Sequence, residues 1–142
     1  MKKVIILVGA SGSGKTTWAR NYITEVGTDS AVVSADHFFI QSDGSYQFDG
    51  SRLPEAHSIC LRTFREALIR GCPLVLVDNT STRQWERQEY ITLAKHWGYE
   101  VWLNVFKIDP TVAAGRNIHG VPLDSVQKMN DRIDVVEGFY EV

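Results

Sequence analysis

Cysteine is scarce: the 142 residues carry only Cys60 and Cys72, and neither stands in a C-x-x-C or other metal-ligand spacing. That pattern excludes a cysteine-built metal ribbon and a disulfide framework, and both thiols read as reduced, cytosolic side chains. An excess of one charge is also missing. Fifteen Lys and Arg stand against 17 Asp and Glu, for a formal net charge of -2. No overall positive field is therefore available to hold nucleic acid by phosphate attraction alone, and any such contact must come from a local patch. Long apolar runs are absent as well. Lys2-Lys3 precede an apolar run as in a signal peptide, but Val4-Ile5-Ile6-Leu7-Val8 is too short and leads straight into a glycine-rich turn. No targeting or membrane segment is expected, and the expected location is cytoplasmic. There is no internal repeat, low-complexity stretch or interdomain linker. With 44% hydrophobic residues, the length suits one domain over 1–142 with a sizeable core.

What the chain does have is Gly9-Ala10-Ser11-Gly12-Ser13-Gly14-Lys15-Thr16, a complete G-x-x-x-x-G-K-[ST] phosphate loop directly after the apolar run. Triphosphate oxygens carry several negative charges and need many converging backbone N–H donors. The turn that supplies them must be glycine-rich and must open a helix. Gly12, Ser13, Gly14, Lys15, Thr16 and Thr17 are the expected phosphate-holding residues. Lys15 is placed for the β- and γ-phosphates and Thr16 for Mg²⁺. The expected donor is ATP or another nucleoside triphosphate.

Short apolar runs then alternate with amphipathic stretches, the pattern of a parallel sheet wrapped by crossover helices. The expected fold is α/β, with a four-stranded parallel sheet over Lys3 to Val8, Ala31 to Ser34, Leu74 to Val77 and Val101 to Ile108. Helices are predicted from Lys15 to about Val26, from near Pro54 to Gly71, and from Arg83 to Trp97, with a short one after Pro110. A last helix is predicted from about Pro122 to Val136, where Leu123, Val126, Met129 and Ile133 recur at helical spacing. The polar segment Gln41 to Arg52 reads as a long loop on the substrate side. The four tryptophans, Trp18, Trp85, Trp97 and Trp102, read mostly as core.

Reactive groups in such a sheet belong at the carboxyl ends of its strands. Asp78 ends Leu74-Val75-Leu76-Val77 in the Walker B form, as a metal-side carboxylate or as a turn-initiating cap. Asp36 follows the second strand. It is either a base that takes the proton of an attacking hydroxyl or a cap on a solvated turn. Arg83 and Arg87, just past Thr80, are either phosphate contacts or a solvated helix face. Phe38, Phe39, Tyr46 and Phe48 form either a shelf for an acceptor base or simple packing. Phe39, Thr80 and Arg83 are the candidate acceptor contacts.

Lys2 to Leu7 together with Gly12 to Arg20 resembles the kinase domain of phage-type polynucleotide 5′-kinases. Asp36-His37-Phe38-Phe39, Asp78-Asn79-Thr80, Gly98-Tyr99-Glu100-Val101 and Arg116-Asn117-Ile118-His119-Gly120-Val121-Pro122 resemble the small P-loop kinase modules of some animal ubiquitin-ligase-binding proteins. The resemblance implies a P-loop kinase with a short lid at about 113–122. Lys15 and Thr16 would hold phosphate and metal, Asp36 would be the general base, and Arg116 a lid arginine on the donor phosphates. A guanidinium there can take phosphate oxygens bidentately, against the alternative of an ordinary exposed helix arginine. The phage-type kinases carry an arginine three residues after the base, where this chain has Phe39. That departure weakens any strict requirement for a 3′-phosphorylated acceptor. Three functions remain: transfer to a 5′-hydroxyl of DNA or RNA, transfer to a small hydroxylated metabolite, or a nucleotide-dependent switch.

Overall fold

The computed structural model describes residues 1–107, 112 and 122–142. Five strands form one sheet: β1 (Lys3–Val8), β2 (Ser30–Val33), β3 (Leu74–Asp78), β4 (Glu100–Val105) and β5 (Gly138–Glu141), in the order β2-β3-β1-β4-β5. β1 pairs in parallel with β3 and β4, and β2 with β3. The sheet differs from the expected one by β5, which runs antiparallel along β4 with Leu103 opposite Tyr140. The predicted last helix is also shorter. It covers Leu123–Asp131 (α4), and Ile133 is buried from the turn beyond it.

β1 is a continuous apolar run because both of its faces are covered. On one face Ile5, Leu7, Leu74 and Leu76 pack against α1 (Lys15–Val26) through Ala19, Trp18, Tyr22 and Ile23. On the other, Val4, Ile6, Val8, Val75 and Val77 pack against α2 (Leu53–Ile69) and α3 (Gln84–His96). Ala56, Cys60, Phe64, Ala67 and Leu68 give α2 its buried stripe. α1 stops where Gly27 takes a left-handed φ of 69° and returns its N–H to the Ile23 carbonyl. The expected helix after Pro110, Arg116, His119 and most of the expected lid lie outside the described residues.

The tryptophans divide. Trp18 and Trp102 are half-buried, and each packs against Phe139 of β5, with ring centroids 5.2 and 5.1 Å apart. Trp85 and Trp97 are not core, being 77% and 39% exposed. Among the described residues no helix is long and apolar enough to cross a membrane. Both cysteines are buried and free.

Candidate active site

The turn after β1 is held open by glycine backbone: Gly12 and Gly14 have φ of 82° and 102°, conformations that strain any residue with a Cβ. Gly9 is constrained by space. A Cβ there would lie 2.7 Å from Ser13 Oγ and 2.9 Å from the Phe106 carbonyl oxygen. The Gly9 N–H donates to the Thr80 carbonyl at 3.0 Å, which fastens the start of the loop to the chain beyond β3. Ser13 is buried, and its Oγ has no hydrogen-bond partner among the described residues.

Lys15 is buried, with Nζ donating to the carbonyls of Gly9 at 2.8 Å and Ala10 at 3.1 Å. Burial pushes its pKa down, against the opposing pull of the Asp78 and Asp36 charges. Beside it, Thr16 Oγ1 donates to Asp78 Oδ2 at 2.8 Å across the β1–β3 junction. A hydroxyl and a carboxylate so placed fit Mg²⁺, which takes one or two protein groups and completes its octahedron with waters and substrate phosphates. Among the described residues no cluster of three His, Cys, Asp or Glu offers an all-protein cage.

Asp36 lies in a short 3-10 helix, Ala35–Phe39, that follows β2. Ser34 Oγ accepts from its N–H at 3.2 Å. The Tyr46 hydroxyl donates to Asp36 Oδ1 at 3.1 Å. Burial first, and then the charge and hydrogen bond of Asp36, push the Tyr46 pKa up to about 12, so the phenol remains a donor at neutral pH. The expected loop from Gln41 is tighter than its composition suggests. Ile40 bridges Tyr46, Gln41 N donates to Ser45 O at 2.8 Å, and Gln47 N donates to Phe39 O at 2.9 Å. That hairpin is what carries Tyr46 to Asp36.

One cavity of about 770 Å³ brings together Gly12, Gly14, Lys15, Thr16, Thr17, Asp36, Asp78 and Thr80. Asn79, which the sequence reading did not single out, lines it as well. The available signal was an amide side chain one residue past the strand-ending Asp78.

Two expectations change. Phe39 is 2% exposed, with Phe38 edge-on at 5.2 Å and Phe48 at 5.1 Å, so neither ring face is available to an acceptor base. Phe38 is half-buried beneath Arg52, whose guanidinium lies 4.5 Å from the ring centre, whereas Phe48 is 58% exposed. Arg87 is neither a phosphate contact nor on a solvated face. It is buried, donating to Ser81 O at 2.8 Å and to Asp134 Oδ1 at 2.6 Å. Arg83 is exposed and precedes α3. Its N–H donates to Glu86 Oε1 at 3.2 Å, the carboxylate that also receives the Thr82 hydroxyl at 3.1 Å.

The model of the AAA domain family matches residues 4–120. Human (Homo sapiens) NEDD4-binding protein 2 is 32% identical over 130 residues, a stretch covering 89% of this chain but 7% of that protein. The chain thus spans a small part of such relatives. Among solved structures, a chain of the Pnkp1/Rnl/Hen1 RNA repair complex superposes with a TM-score of 0.76 at 17% identity, covering 99% of this chain and 48% of the other. A gluconokinase from Sinorhizobium meliloti 1021 gives 0.59 at 19% identity, covering 94% and 75%. At those identities the two likenesses speak for the fold. The chain belongs to the AAA domain family and folds as a P-loop kinase domain.

Proposed function

We propose that this domain transfers the γ-phosphoryl group of ATP, with Mg²⁺, to a 5′-hydroxyl of DNA or RNA. The observation that carries the proposal is a second carboxylate, Asp36, facing the same cavity as the phosphate loop from a different strand end. A nucleotide switch has no use for it. An acceptor hydroxyl does, because its proton must leave as the oxygen attacks phosphorus. A nucleic-acid acceptor is favoured by the likeness to a chain of an RNA repair complex.

In this reading the amides of Gly12, Ser13, Gly14 and Lys15 and the Thr16–Thr17 helix start receive the donor phosphates. Lys15 gives up its two carbonyl partners and moves its ammonium onto the β- and γ-oxygens. Thr16 and Asp78 are the residues that would hold Mg²⁺. When bound, that ion neutralises phosphate charge. Asp36, oriented by the Tyr46 hydroxyl, accepts the proton of the attacking hydroxyl. The acceptor oxygen bonds to the γ-phosphorus, the bond from that phosphorus to the β–γ bridging oxygen breaks, and its electron pair leaves with ADP. Arg116 is assigned to the donor phosphates as the lid arginine.

A metabolite hydroxyl would use the same groups, and the likeness to a gluconokinase keeps that reading in view. The test is transfer of labelled γ-phosphate to 5′-hydroxyl oligonucleotides, nucleosides and sugars, with Asp36→Asn alongside. Labelled oligonucleotide that falls by about a hundredfold or more in Asp36→Asn, with ATP binding retained, is the expected result. Label on sugars or nucleosides alone selects the metabolite reading. Loss of ATP binding together with transfer makes Asp36 structural.

A further inference from the structure

We propose that Asn79 is a positioning residue that holds Asp36 in place relative to Asp78; the inference rests on the kinase reading above. β2 and β3 are laddered only as far as Val33 opposite Val77. Beyond that point the strands end, and the two carboxylates stand on separate stretches of chain. The Asn79 side chain spans the gap. Its Oδ1 accepts from the Ala35 N–H at 2.8 Å, at the residue immediately before Asp36.

The reason for an amide here is local. The first N–H groups of any helical turn lack partners within it. Ser34 Oγ serves the Asp36 N–H, which leaves the N–H of Ala35, a residue only 6% exposed. Asn79 supplies the missing acceptor from across the sheet. Its other end is also engaged, with Nδ2 donating to Cys60 Sγ at 3.6 Å. The Tyr90 hydroxyl reaches the same sulfur from α3 at 3.4 Å. Burial pushes the Cys60 thiol up, so the sulfur stays neutral and fills its place as a packed acceptor. With both ends of the amide engaged, its orientation is fixed. Any displacement of the end of β3 therefore passes to Asp36 as well as to Asp78, and the base keeps its place beside the metal-side carboxylate.

The experiment is a cycle of four proteins, wild type, Asp36→Asn, Asn79→Leu and the double variant, assayed for transfer to the best acceptor found. Leucine keeps the branched outline of asparagine, with somewhat bulkier methyl groups, and has no acceptor. Asn79→Leu is expected to lower kcat about 10- to 100-fold, the scale of a small misplacement of a reacting group, with the KM for ATP within about twofold. The double variant should be no slower than Asp36→Asn, because Asn79 acts through Asp36. Asn79→Asp, which keeps an acceptor oxygen for the Ala35 N–H but loses the donor to Cys60 Sγ, should lose less kcat than Asn79→Leu, and Asn79→Ala takes the leucine variant's place in the cycle if that variant fails to bind nucleotide. If Asn79→Leu multiplies the loss already present in Asp36→Asn, or if Asn79→Asp loses as much as Asn79→Leu, the inference is overturned while the base assignment stands. Wild-type turnover in Asp36→Asn would overturn the base assignment and this inference with it.

Discussion

Asp134→Ala is expected to destabilise the fold by about 2.5–3.5 kcal/mol, more than replacing its buried partner Arg87 with methionine. The side chain of Arg87 is 3% exposed and that of Asp134 is 39% exposed, with 2.6 Å between Nη2 and Oδ1. Breaking a fully buried pair from one side costs about 3–5 kcal/mol, because a charge is left enclosed without its partner, whereas an exposed pair is worth about 0–1 kcal/mol. Here one partner is enclosed and the other is open to water, so the charge part is discounted to about half the buried figure. Asp134 Oδ2 also accepts from the Gln84 N–H at 2.8 Å, and loss of that helix cap adds about 1 kcal/mol. Arg87→Met removes the charge and keeps the stem, so adding it to Asp134→Ala should recover part of the loss. Urea unfolding of the four proteins reads these differences directly.

Acidity supplies a second axis for the same test. Burial alone would raise the Asp134 carboxyl. The hydrogen bonds from Arg87 and the Gln84 N–H, with the Arg87 charge, outweigh it and hold the group below the usual carboxylate range. A folded pKa below the unfolded one means stability that is present above the unfolded value and lost as pH falls through the folded one. The gap between wild type and Asp134→Ala should therefore narrow below about pH 4. A variant within about 0.5 kcal/mol of wild type at pH 7, or a double variant whose losses simply add, would refute the reasoning.

Gly9→Ala should weaken nucleotide binding more than about tenfold, about 1.4 kcal/mol. The added carbon would meet the backbone carbonyl of Phe106 at 2.9 Å, an atom that cannot swing aside. Titration with a fluorescent ATP analogue checks it, and unchanged affinity would show that the loop tolerates the shift. Phe39→Ala should cost about 3–5 kcal/mol of stability, as for a fully enclosed aromatic, whereas Phe48→Ala, at 58% exposure, should stay within about 1 kcal/mol. Thermal unfolding separates the two, and the reverse order would put Phe39 at the surface.

The phosphate loop, α1 from Lys15 to Val26 and the strand ending at Asp78 were legible because their signals are local: glycines at fixed offsets, then one apolar run and one acid. Three features depend on partners distant in the chain and were not. Leu123, Val126, Met129 and Ile133 continue a helical period. The chain nevertheless leaves the helix after Asp131, where the Asp134 N–H bonds to Thr82 O at 3.2 Å and its carboxylate caps α3. That exit frees Gly138–Glu141 to become an edge strand too short to carry a period of its own. Arg87 left a phosphate contact and a solvated face both open, because arginine is usually exposed. Yet it shares the buried face of α3 with Tyr90 and Ala94, and a guanidinium on such a face needs a carboxylate from elsewhere. Phe39, next to a strand end, left a shelf and simple packing both open, and the hairpin beyond it decides for packing by folding Tyr46 and Phe48 back against its ring.

The order of the sheet sets a length. With β3 lying between β1 and β2, the strands that lead into the phosphate loop and into the turn of Asp36 are two strand spacings apart, about 10 Å. That span is too wide for the two ends to touch and, in the proposed reaction, wide enough for one phosphoryl group and the hydroxyl that attacks it. It is set by the backbone ladders of β1, β3 and β2, and beyond their ends the Asn79 side chain ties the turn before Asp36 to the end of β3. In the proposed reaction, rebuilding the Gln41 to Arg52 segment beyond Asp36 would therefore change which hydroxyl is presented while leaving that width as it is.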